Sequence, residues 1–585
     1  ILLPINFCLE YIAMYGEALR CGKTAFDMRV SSDISERKRA FASHSNSLTT
    51  HSSTRICRRR MEFKNKSTKF QSKMEKPKLT IDEMATFCKK KGFVYPNSEI
   101  YGGIAGFYDF GHLGVELKNN IKKEWWESFV QQRDDMVGID GSIITHPIVW
   151  KASGHIDGFT DVLVDCKKCG SRFRGDQLIE EKLKISTLGW SLDDIAKEIA
   201  RHKIKCSKCG NELGQPKKFN LMFTTNVGPV QTSSSVAFLR PETAQIIFTN
   251  FKLVQENARL KLPFGIAQIG KAFRNEISPR DFLFRMREFE QMEIEYFVHP
   301  EKQDECNFIE DVLDYELNVL SAEMQKQKKN MENMAIKKAL DKKIIKTKWH
   351  AYWLVLMHKW FVDLGADASH FRIRQHVKDE LSHYALDTWD LEYEFPFGWK
   401  ELQGLSNRTD FDLKQHMEHA KTDLSIFDEE TKRKIIPHVI CEPSQGVERA
   451  FLVFLFDAYN YDTSRDNVVL KLHPKLAPIK VGVFPLVSNK AELVKKARDV
   501  YDELKQEWTC TFDLSGSIGR RYARADEIGI YACVTIDFES LEDNSVTIRS
   551  RDTTEQIRVK INDLKEILSK FLDGEKLGKF GKGVG

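Results

Sequence analysis

Arginines, glutamates and aromatic residues are concentrated between residues 273 and 295. The pattern there predicts a strand, a charged loop and a second strand, which together form a hairpin with arginines on both arms. Arg274 and Arg285 are suited to a bidentate grip on phosphate oxygens. Glu276, on the same side of a strand as Arg274, could accept a hydrogen bond from an amino group, and Phe289 offers a flat apolar surface for a base. A solvated ladder of Arg–Glu pairs would give the same pattern, so this segment alone leaves both interpretations open.

Four of the twelve cysteines form two C-x-x-C-G pairs, separated by 36 residues. A two-residue spacer allows both thiolates of a pair to face one ion, and the glycine permits the tight turn that follows. Two such pairs predict a closed, structural zinc site of four thiolates, with a redox-active pair as the alternative. The cysteines are Cys166, Cys169, Cys206 and Cys209, and the pattern between them predicts a helix over 183–202.

The elements that would position these residues follow from the periodicity of the chain. Short strand-like runs are spread among helical patterns, which favours a mostly antiparallel sheet in an α+β domain. The runs fall at 142–144, 264–269, 291–298 and 392–395. We predict a catalytic domain over 74–477, with a four-cysteine insertion at 161–215. The charged, helix-favouring stretch that follows the hairpin predicts helices projecting from the sheet, as an insertion at 301–365.

From residue 479 the pattern changes to strand, helix, strand and strand, which predicts a separate C-terminal α/β domain over 478–572. Residues 573–585 are rich in glycine and lysine and are expected to form a flexible tail. A segment of the C-terminal domain, read as a loop, combines glycines with cationic and aromatic residues that suit unpaired RNA bases. An internally salt-bridged loop is the alternative. The candidate RNA contacts are Arg520, Arg521, Tyr522 and Arg524.

The charge of the chain is unevenly distributed. The 585 residues have a net charge of +5, yet residues 1–73 contain 14 basic and 6 acidic residues, and the remainder has a net charge of −3. Residues 1–73 are therefore expected to be a disordered basic leader, read from upstream of a start at Met74, or an organelle transit segment. A mean hydropathy of −0.41 and the lack of a long apolar run exclude an integral membrane protein, and a cytoplasmic location is expected.

The segment 273–295 resembles motif 2 of the class II aminoacyl-tRNA synthetases. Over about residues 79–570 the sequence resembles the glycyl-tRNA synthetase family, in its homodimeric form. Nine blocks carry the resemblance in the order of the family: 101–111, 153–155, 173–176, 240–245, 273–295, 389–394, 398–402, 442–449 and 516–524. Pro147 matches the proline of motif 1, which belongs to the dimer interface in the family.

The resemblance implies a class II antiparallel-sheet catalytic domain with a zinc-knuckle insertion and an α/β anticodon-binding domain. It implies an ATP-dependent ligase that activates glycine to glycyl-adenylate and then transfers glycine to the 3′ end of tRNA(Gly). ATP, glycine and tRNA(Gly) are the implied partners of a homodimer, with Mg²⁺ accompanying ATP beside Glu401 and structural Zn²⁺ on the cysteines.

The resemblance also assigns roles to individual residues. The implied catalytic residues are Arg274, Glu276 and Arg449. The implied ATP contacts are Arg274, Asn275, Glu276, Arg285, Met286, Phe289, Glu401, Leu402 and Arg449. The implied glycine contacts are Arg174, Glu242, Glu293, Glu442 and Ser444.

Two alternative functions remain at this point. A non-catalytic relative, such as a DNA polymerase accessory subunit, would be expected to have lost the ATP-site residues, which are all present here. A class II synthetase for alanine or serine is opposed by the R-P-E-T-A-Q and E-P-S segments at 240–245 and 442–444, through resemblance alone.

Overall fold

The computed structural model describes residues 79–584 except 186, 188, 233, 234 and 383. The predicted leader at 1–73 lies outside the described residues. Among the described residues, no helix combines the length and the apolar character needed to cross a membrane.

The helices and strands of the described residues alternate along the chain. The helices are α1 Ile81–Lys91, α2 His112–Trp126, α3 Pro147–Ala152, α4 His155–Gly158, α5 Gly175–Leu183, α6 Leu192–Arg201, α7 Ala244–Ala258, α8 Ala322–Lys326, α9 Ile336–Asp341, α10 Lys348–Asp363, α11 Phe411–Ala420, α12 Val447–Ala458, α13 Ala491–Leu504, α14 Ile518–Glu527, α15 Phe538–Asp543 and α16 Leu564–Leu572. The strands are β1 Val94–Pro96, β2 Tyr108–Phe110, β3 Met136–Ile139, β4 Ile144–Thr145, β5 Thr160–Asp165, β6 Arg172–Arg174, β7 Lys217–Asn220, β8 Thr224–Asn226, β9 Val236–Leu239, β10 Phe264–Phe273, β11 Glu288–Val298, β12 Glu316–Leu320, β13 Glu332–Ala335, β14 Phe371–Gln375, β15 Asp387–Phe395, β16 Gly398–Asn407, β17 Ile426–Asp428, β18 Arg433–Ile435, β19 His438–Gly446, β20 Tyr459–Asp462, β21 Asn467–Leu470, β22 Val481–Pro485, β23 Cys510–Phe512, β24 Ala532–Ile536, β25 Ser545–Ser550 and β26 Gln556–Lys560.

A nine-stranded sheet forms the centre of the catalytic part, in the order β13-β12-β14-β15-β16-β19-β11-β10-β3. Its pairs are antiparallel except β10 with β3 and β12 with β14. The long hairpin β10–β11 is the predicted charged hairpin, and its loop starts where β10 ends at Phe273. The predicted antiparallel α+β architecture is thus confirmed.

The prediction that residues 301–365 form projecting helices is wrong for much of that segment. β12 and β13 lie inside it and extend the central sheet. Burial alternates along β12, with Leu317 and Val319 buried, which is the two-residue period of a strand. The surrounding lysines and glutamates gave the segment a helix-favouring composition that hid this short alternation.

Two buried helices cover the sheet. In α10 the side chains of Trp349, Trp353 and Phe361 are at most 1% exposed, so this helix belongs to the core and does not project into solvent. α12 is buried along most of its length and follows β19 directly. The end of β19 therefore sets the orientation of the first turn of α12, which carries Arg449.

The four-cysteine insertion is a small module of three strands, in the order β6-β5-β7, with α5 and α6 between the two cysteine pairs. The helix predicted over 183–202 is shorter in the structure, where α6 covers only Leu192–Arg201. The preceding helix, α5, ends at Leu183, and its C-cap residue Lys184 has a left-handed conformation with φ of 58°. A new helix then starts at Ser191, whose side chain forms a capping box with Asp194.

The C-terminal domain has a five-stranded sheet in the order β23-β22-β24-β25-β26, in which β22 pairs in parallel with β23 and β24. The predicted flexible tail is wrong for residues 574–584. Leu577 is 2% exposed in the core of this domain, and the backbone N–H of Val584 donates to the carbonyl of Gln556 at 2.9 Å. A few buried apolar residues are therefore sufficient to hold this glycine-rich segment against the C-terminal domain.

Candidate active site

A cavity of about 460 Å³ opens where the central strands of the sheet meet the hairpin loop and the start of α12. Ser444 of β19 lies in register with Glu293 of β11 on one side and with Gly404 of β16 on the other. This register brings three strands that are distant in sequence to one surface. The predicted ATP and glycine residues line the cavity, with the exception of Asn275.

Arginines occupy one end of the cavity. The guanidinium of Arg274 lies 5.4 Å from the ring centroids of both Phe159 and Phe289, and its Nε donates to the carbonyl of Pro241 at 3.1 Å. Arg449 stacks over Phe284 at 4.5 Å. Because the Arg274 guanidinium is held by rings and a carbonyl, its charge remains available to an anion in the cavity.

Arg449 also organises the carboxylate beside it. Its Nη1 donates to the carbonyl oxygen of Glu401 at 2.8 Å and lies 3.4 Å from Oε1 of the same residue. Partial desolvation opposes ionisation of the half-exposed Glu401 carboxyl, but the Arg449 guanidinium lowers its pKa below the usual value. The carboxylate therefore remains charged and lines the cavity, as an oxygen donor of the kind that magnesium prefers.

Two buried polar atoms in the hairpin loop make no hydrogen bond within the described residues. They are Oε2 of Glu276 and Nη1 of Arg285, and these two atoms lie 3.9 Å apart. Buried polar groups are normally hydrogen-bonded, so these two atoms are candidates for contact with a ligand in the cavity. A carboxylate acceptor next to a guanidinium donor matches the amino group and phosphates of a nucleotide.

The four-cysteine module contributes residues to the same cavity. Arg174 of β6 forms ion pairs with Asp161 at 2.9 Å and with Asp176 at 2.5 Å. Burial raises the pKa of Asp161 to about 6, although Arg174 opposes the shift. Arg174 also interacts electrostatically with Glu276. Asp161 was not predicted from the sequence, because a single aspartate after a threonine matches no motif of a functional site.

Carboxylates occupy the other end of the cavity. Glu242 is bonded by Nε2 of His155 at 3.2 Å and by Nε2 of Gln245 at 3.1 Å. Glu293 accepts a hydrogen bond from the hydroxyl of Thr243, and burial together with the neighbouring Glu242 raises its pKa. A negatively charged end of this kind suits an ammonium group.

One buried arginine balances part of this negative charge. Arg408 is 1% exposed, donates to Glu442 at 2.5 Å and forms two hydrogen bonds of 2.8 Å with Asp412. Burial raises the pKa of Glu442 to about 8 even though Arg408 opposes the shift. Sequence reasoning missed Arg408 and Asp412, because only the fold brings α11 under the cavity.

His376 and Asp390 also line the cavity and were not predicted. The Nε2 atom of His376 lies 2.8 Å from Oδ2 of Asp390. The backbone of His376 is fixed by its N–H, which donates to the carbonyl of Thr388 on β15. His376 directly follows β14, Asp390 lies on β15, and both residues line the cavity together with Glu401.

The four cysteines converge on one point. The Sγ atoms of Cys166 and Cys209 lie 3.5 Å apart, those of Cys169 and Cys206 lie 3.7 Å apart, and all four are within 4.8 Å of one another. Ligands at about 2.3 Å from a tetrahedral zinc have sulfur–sulfur separations of about 3.8 Å. The donor set therefore fits a closed four-thiolate metal site.

The predicted RNA contacts of the C-terminal domain lie on α14, not on a loop. Arg521 is 1% exposed and donates to the carbonyls of Pro485 at 2.5 Å and Leu486 at 3.1 Å, so it packs inside the domain. The hydroxyl of Tyr522 bonds that of Thr535 at 2.5 Å. The other two candidates, Arg520 and Arg524, are exposed on the same helix.

Comparison with known proteins identifies two domains. The family "tRNA synthetase class II core domain (G, H, P, S and T)" matches residues 223–458, and the family "Anticodon binding domain" matches residues 480–571. The first match contains the hairpin and α12, and the second contains α14.

Relatives named glycine–tRNA ligase match most of the chain. The protein of Caldanaerobacter subterraneus subsp. tengcongensis is 47% identical over 503 residues, which is 85% of this chain and 99% of the relative. Those of Acetivibrio thermocellus and Geobacillus thermodenitrificans are 46% and 45% identical, and each alignment covers 97% of the relative and 83% or 84% of this chain. With this identity over nearly the whole length of each relative, the chain belongs to the glycine–tRNA ligase family of class II aminoacyl-tRNA synthetases.

Proposed function

We propose that this chain activates glycine with ATP to form glycyl-adenylate and diphosphate, and then transfers glycine to the 3′ end of tRNA(Gly). The observation that supports this best is the division of one cavity into an arginine end and a carboxylate end. The first end suits a triphosphate and the second an ammonium group, so the two substrates would meet between them.

The activation step joins two anions. A carboxylate oxygen of glycine attacks the α-phosphorus of ATP, and the bond from that phosphorus to the bridging oxygen breaks, leaving diphosphate. Arg274 and Arg449 would offset the repulsion and stabilise charge that develops in line. Magnesium, held beside Glu401, would supply further positive charge to the phosphates when bound.

The base and the amino acid would be held by the remaining lining residues. Glu276 would accept from the adenine amino group, Phe289 would stack on the ring, and Arg285 would contact the distal phosphates. Glycine would be held through its ammonium group by the carboxylates already described, together with the hydroxyl of Ser444. No side-chain nucleophile is needed, because the adenylate is formed by direct displacement.

Selection of glycine would be a matter of size. A cavity that leaves no space around the α-carbon of bound glycine would exclude larger amino acids, because their side chains would overlap with its wall. Excluding a larger substrate in this way is easier than rejecting a smaller one. This proposal therefore requires no editing site.

The assembly and the remaining partners belong to the same proposal. The four thiolates would hold structural zinc, Arg520 and Arg524 are the accessible candidates for anticodon contacts, and the enzyme would work as a homodimer. A cytoplasmic location stays a prediction.

Arg274→Ala tests the assignment. The variant should remain folded but lose glycine-dependent ATP–diphosphate exchange by orders of magnitude, because the charge at the α-phosphate is removed. Arg280→Ala is the matched control, since Arg280 lies on the same loop but pairs with Glu181 at the surface. Near-normal exchange by Arg274→Ala would overturn the assignment, and charging assays with a panel of amino acids would test glycine itself.

A further inference from the structure

Nine lysines between residues 326 and 348 form a surface whose charge differs from that of the rest of the protein. We call these residues the lysine surface: Lys326, Lys328, Lys329, Lys337, Lys338, Lys342, Lys343, Lys346 and Lys348. All nine are exposed. The segment contains only two acidic residues, so its net charge is +7. Residues 74–585 have a net charge of −3, so the residues of this range outside 326–348 have a net charge of −10.

The lysine surface is largely unpaired. Within the described residues, Lys346 forms one long ion pair with Asp387 at 3.8 Å, and the other eight ammonium groups form none. Exposed lysines elsewhere in the chain commonly face a carboxylate, as Lys359 faces Asp363 at 2.5 Å. A cluster of unpaired like charges repels itself, so it is favourable only when an anionic partner or solvent balances it.

The backbone that carries these lysines is anchored. In α9 the side chains of Ile336 and Ala339 are fully buried, and Ile345 is 1% exposed. The N–H groups of Ile336 and Lys337 donate to the carbonyls of Tyr315 and Leu313, each at 2.9 Å. The lysines are therefore presented from a fixed surface, unlike those of a solubilising tail.

Protection of a sheet edge does not explain this arrangement. β13 is the edge strand of the central sheet, and lysines on such a strand would block pairing with another chain. The strand itself, Glu332–Ala335, contains no lysine. The nine lysines instead flank it on both sides along the sequence.

We propose that the lysine surface binds the phosphate backbone of the acceptor arm of tRNA while the 3′ end occupies the active-site cavity. This inference rests on the proposed function. β13 lies four strands from β16, whose residues line the cavity, which corresponds to about 19 Å at a spacing of about 4.8 Å per strand. A duplex presents about one charge per 1.7 Å of axis, so a nucleic acid entering the cavity carries many phosphates over that span.

An anionic membrane is the less favoured partner. A helix that binds the bilayer interface needs exposed apolar residues beside its basic ones. The apolar residues of α9 face the protein core, and the largest exposed apolar side chain within the segment is Met331, at 37%.

The test replaces Lys337, Lys338, Lys342 and Lys343 with alanine together. With a tRNA(Gly) transcript we expect KM to rise about tenfold or more. We also expect the slope of log affinity against log salt to become shallower by about 2 to 4, since each phosphate contact contributes about 0.9. Diphosphate exchange, which needs no tRNA, should be unchanged.

A control variant has the same change in net charge. It replaces four lysines that already have carboxylate partners, namely Lys261, Lys302, Lys359 and Lys434. It should keep both the KM for tRNA and the salt slope of the wild type.

Several outcomes would overturn the proposal. Unchanged tRNA affinity in the first variant would do so, as would an equal loss in the control, which would indicate bulk charge. Binding of the wild type to vesicles with 30% phosphatidylserine that the first variant loses, with tRNA affinity intact, would assign the surface to a membrane. Failure of the proposed function is distinct, because the wild type would then show no glycine-dependent exchange.

Discussion

At the scale of the residue, Glu295 has the most unusual environment in the site. It is fully buried next to Glu293 and Glu442, and neither of its oxygens is hydrogen-bonded within the described residues. Burial, together with the charge of Glu442, raises its pKa well above the usual value, while Arg408 only partly opposes the shift. Several carboxyls share one arginine here, so we assign a proton to the group and place it on Glu295, the member without a partner.

Glu295→Gln should therefore stabilise the protein at alkaline pH. A carboxyl whose pKa is raised in the folded state stabilises the protein fully at pH values below its unfolded-state pKa of about 4.3. This stabilisation is lost as the pH rises from there through the folded-state pKa. Glutamine imitates the neutral form at every pH. We expect the variant to exceed the wild type by about 1.4 kcal/mol or more in free energy of unfolding at pH 8.5, and by less at pH 5.

Urea unfolding at both pH values measures this difference, with Glu83→Gln as a control. Glu83 is a surface carboxylate in the capping box of α1, and its hydrogen bonds to Thr80 lower its pKa, so the control should lose stability at alkaline pH. A Glu295→Gln variant that is less stable than the wild type at pH 8.5 would contradict the placement of the proton.

At the scale of the element, the four-cysteine module contributes two residues to the wall of the candidate site. Asp161 of β5 and Arg174 of β6 line the cavity, and Cys166 follows β5 directly. Metal sites of this kind contribute folding free energy to small modules with limited cores. Integrity of the metal site should therefore be coupled to the position of two cavity residues.

Metal removal by a strong chelator should loosen this module and leave the central sheet folded. We expect hydrogen exchange to accelerate over residues 160–220 and not over β10, β11 or β19. The KM values for ATP and for glycine should both rise, because Asp161 and Arg174 of this module line the cavity. Metal analysis that finds less than about one zinc per chain, or uniform exchange across the protein, would contradict this view.

The same scale shows what local pattern could and could not predict. The hairpin β10–β11 and the strands β22, β23 and β24 were predictable from their apolar or alternating runs, whereas β25 and β26 of the C-terminal domain were not predicted. β12 and the segment 574–584 were not, since a few buried residues fixed them against a polar composition. Asp161, His376, Asp390 and Arg408 were invisible because their roles arise only from strand order, which brings distant segments to one cavity.

At the scale of the whole molecule, α14 joins the C-terminal domain to the catalytic domain. Asp526 forms two hydrogen bonds with Arg549, at 2.8 and 3.0 Å, and lies 3.2 Å from Arg465 of the β20–β21 connection. Glu527 pairs with Lys91 of α1 at 2.5 Å. The helix that presents Arg520 and Arg524 outward is thus attached to the catalytic part by its last turn.

Asp526→Asn should weaken that attachment. Arg549 is 6% exposed, and removing the charge of its partner leaves a buried guanidinium uncompensated, which typically costs about 3–5 kcal/mol. This loss of free energy destabilises the C-terminal domain and its attachment to the catalytic domain. The cavity should keep its structure, because other strands form it. We therefore expect an early unfolding transition for this domain, a marked loss of tRNA charging, and diphosphate exchange close to that of the wild type.

Asp513→Asn provides the comparison, because Asp513 also pairs with an arginine of α14 but is 29% exposed. Screening by solvent limits such a pair to about 1 kcal/mol or less, so this variant should unfold in one transition near that of the wild type. If Asp526→Asn behaved in the same way, docking would depend on the apolar contacts between the domains and not on the buried ion pairs. If it lost diphosphate exchange as well, the C-terminal domain would be supporting the cavity, and the two parts of the chain would have to be treated as one cooperative unit.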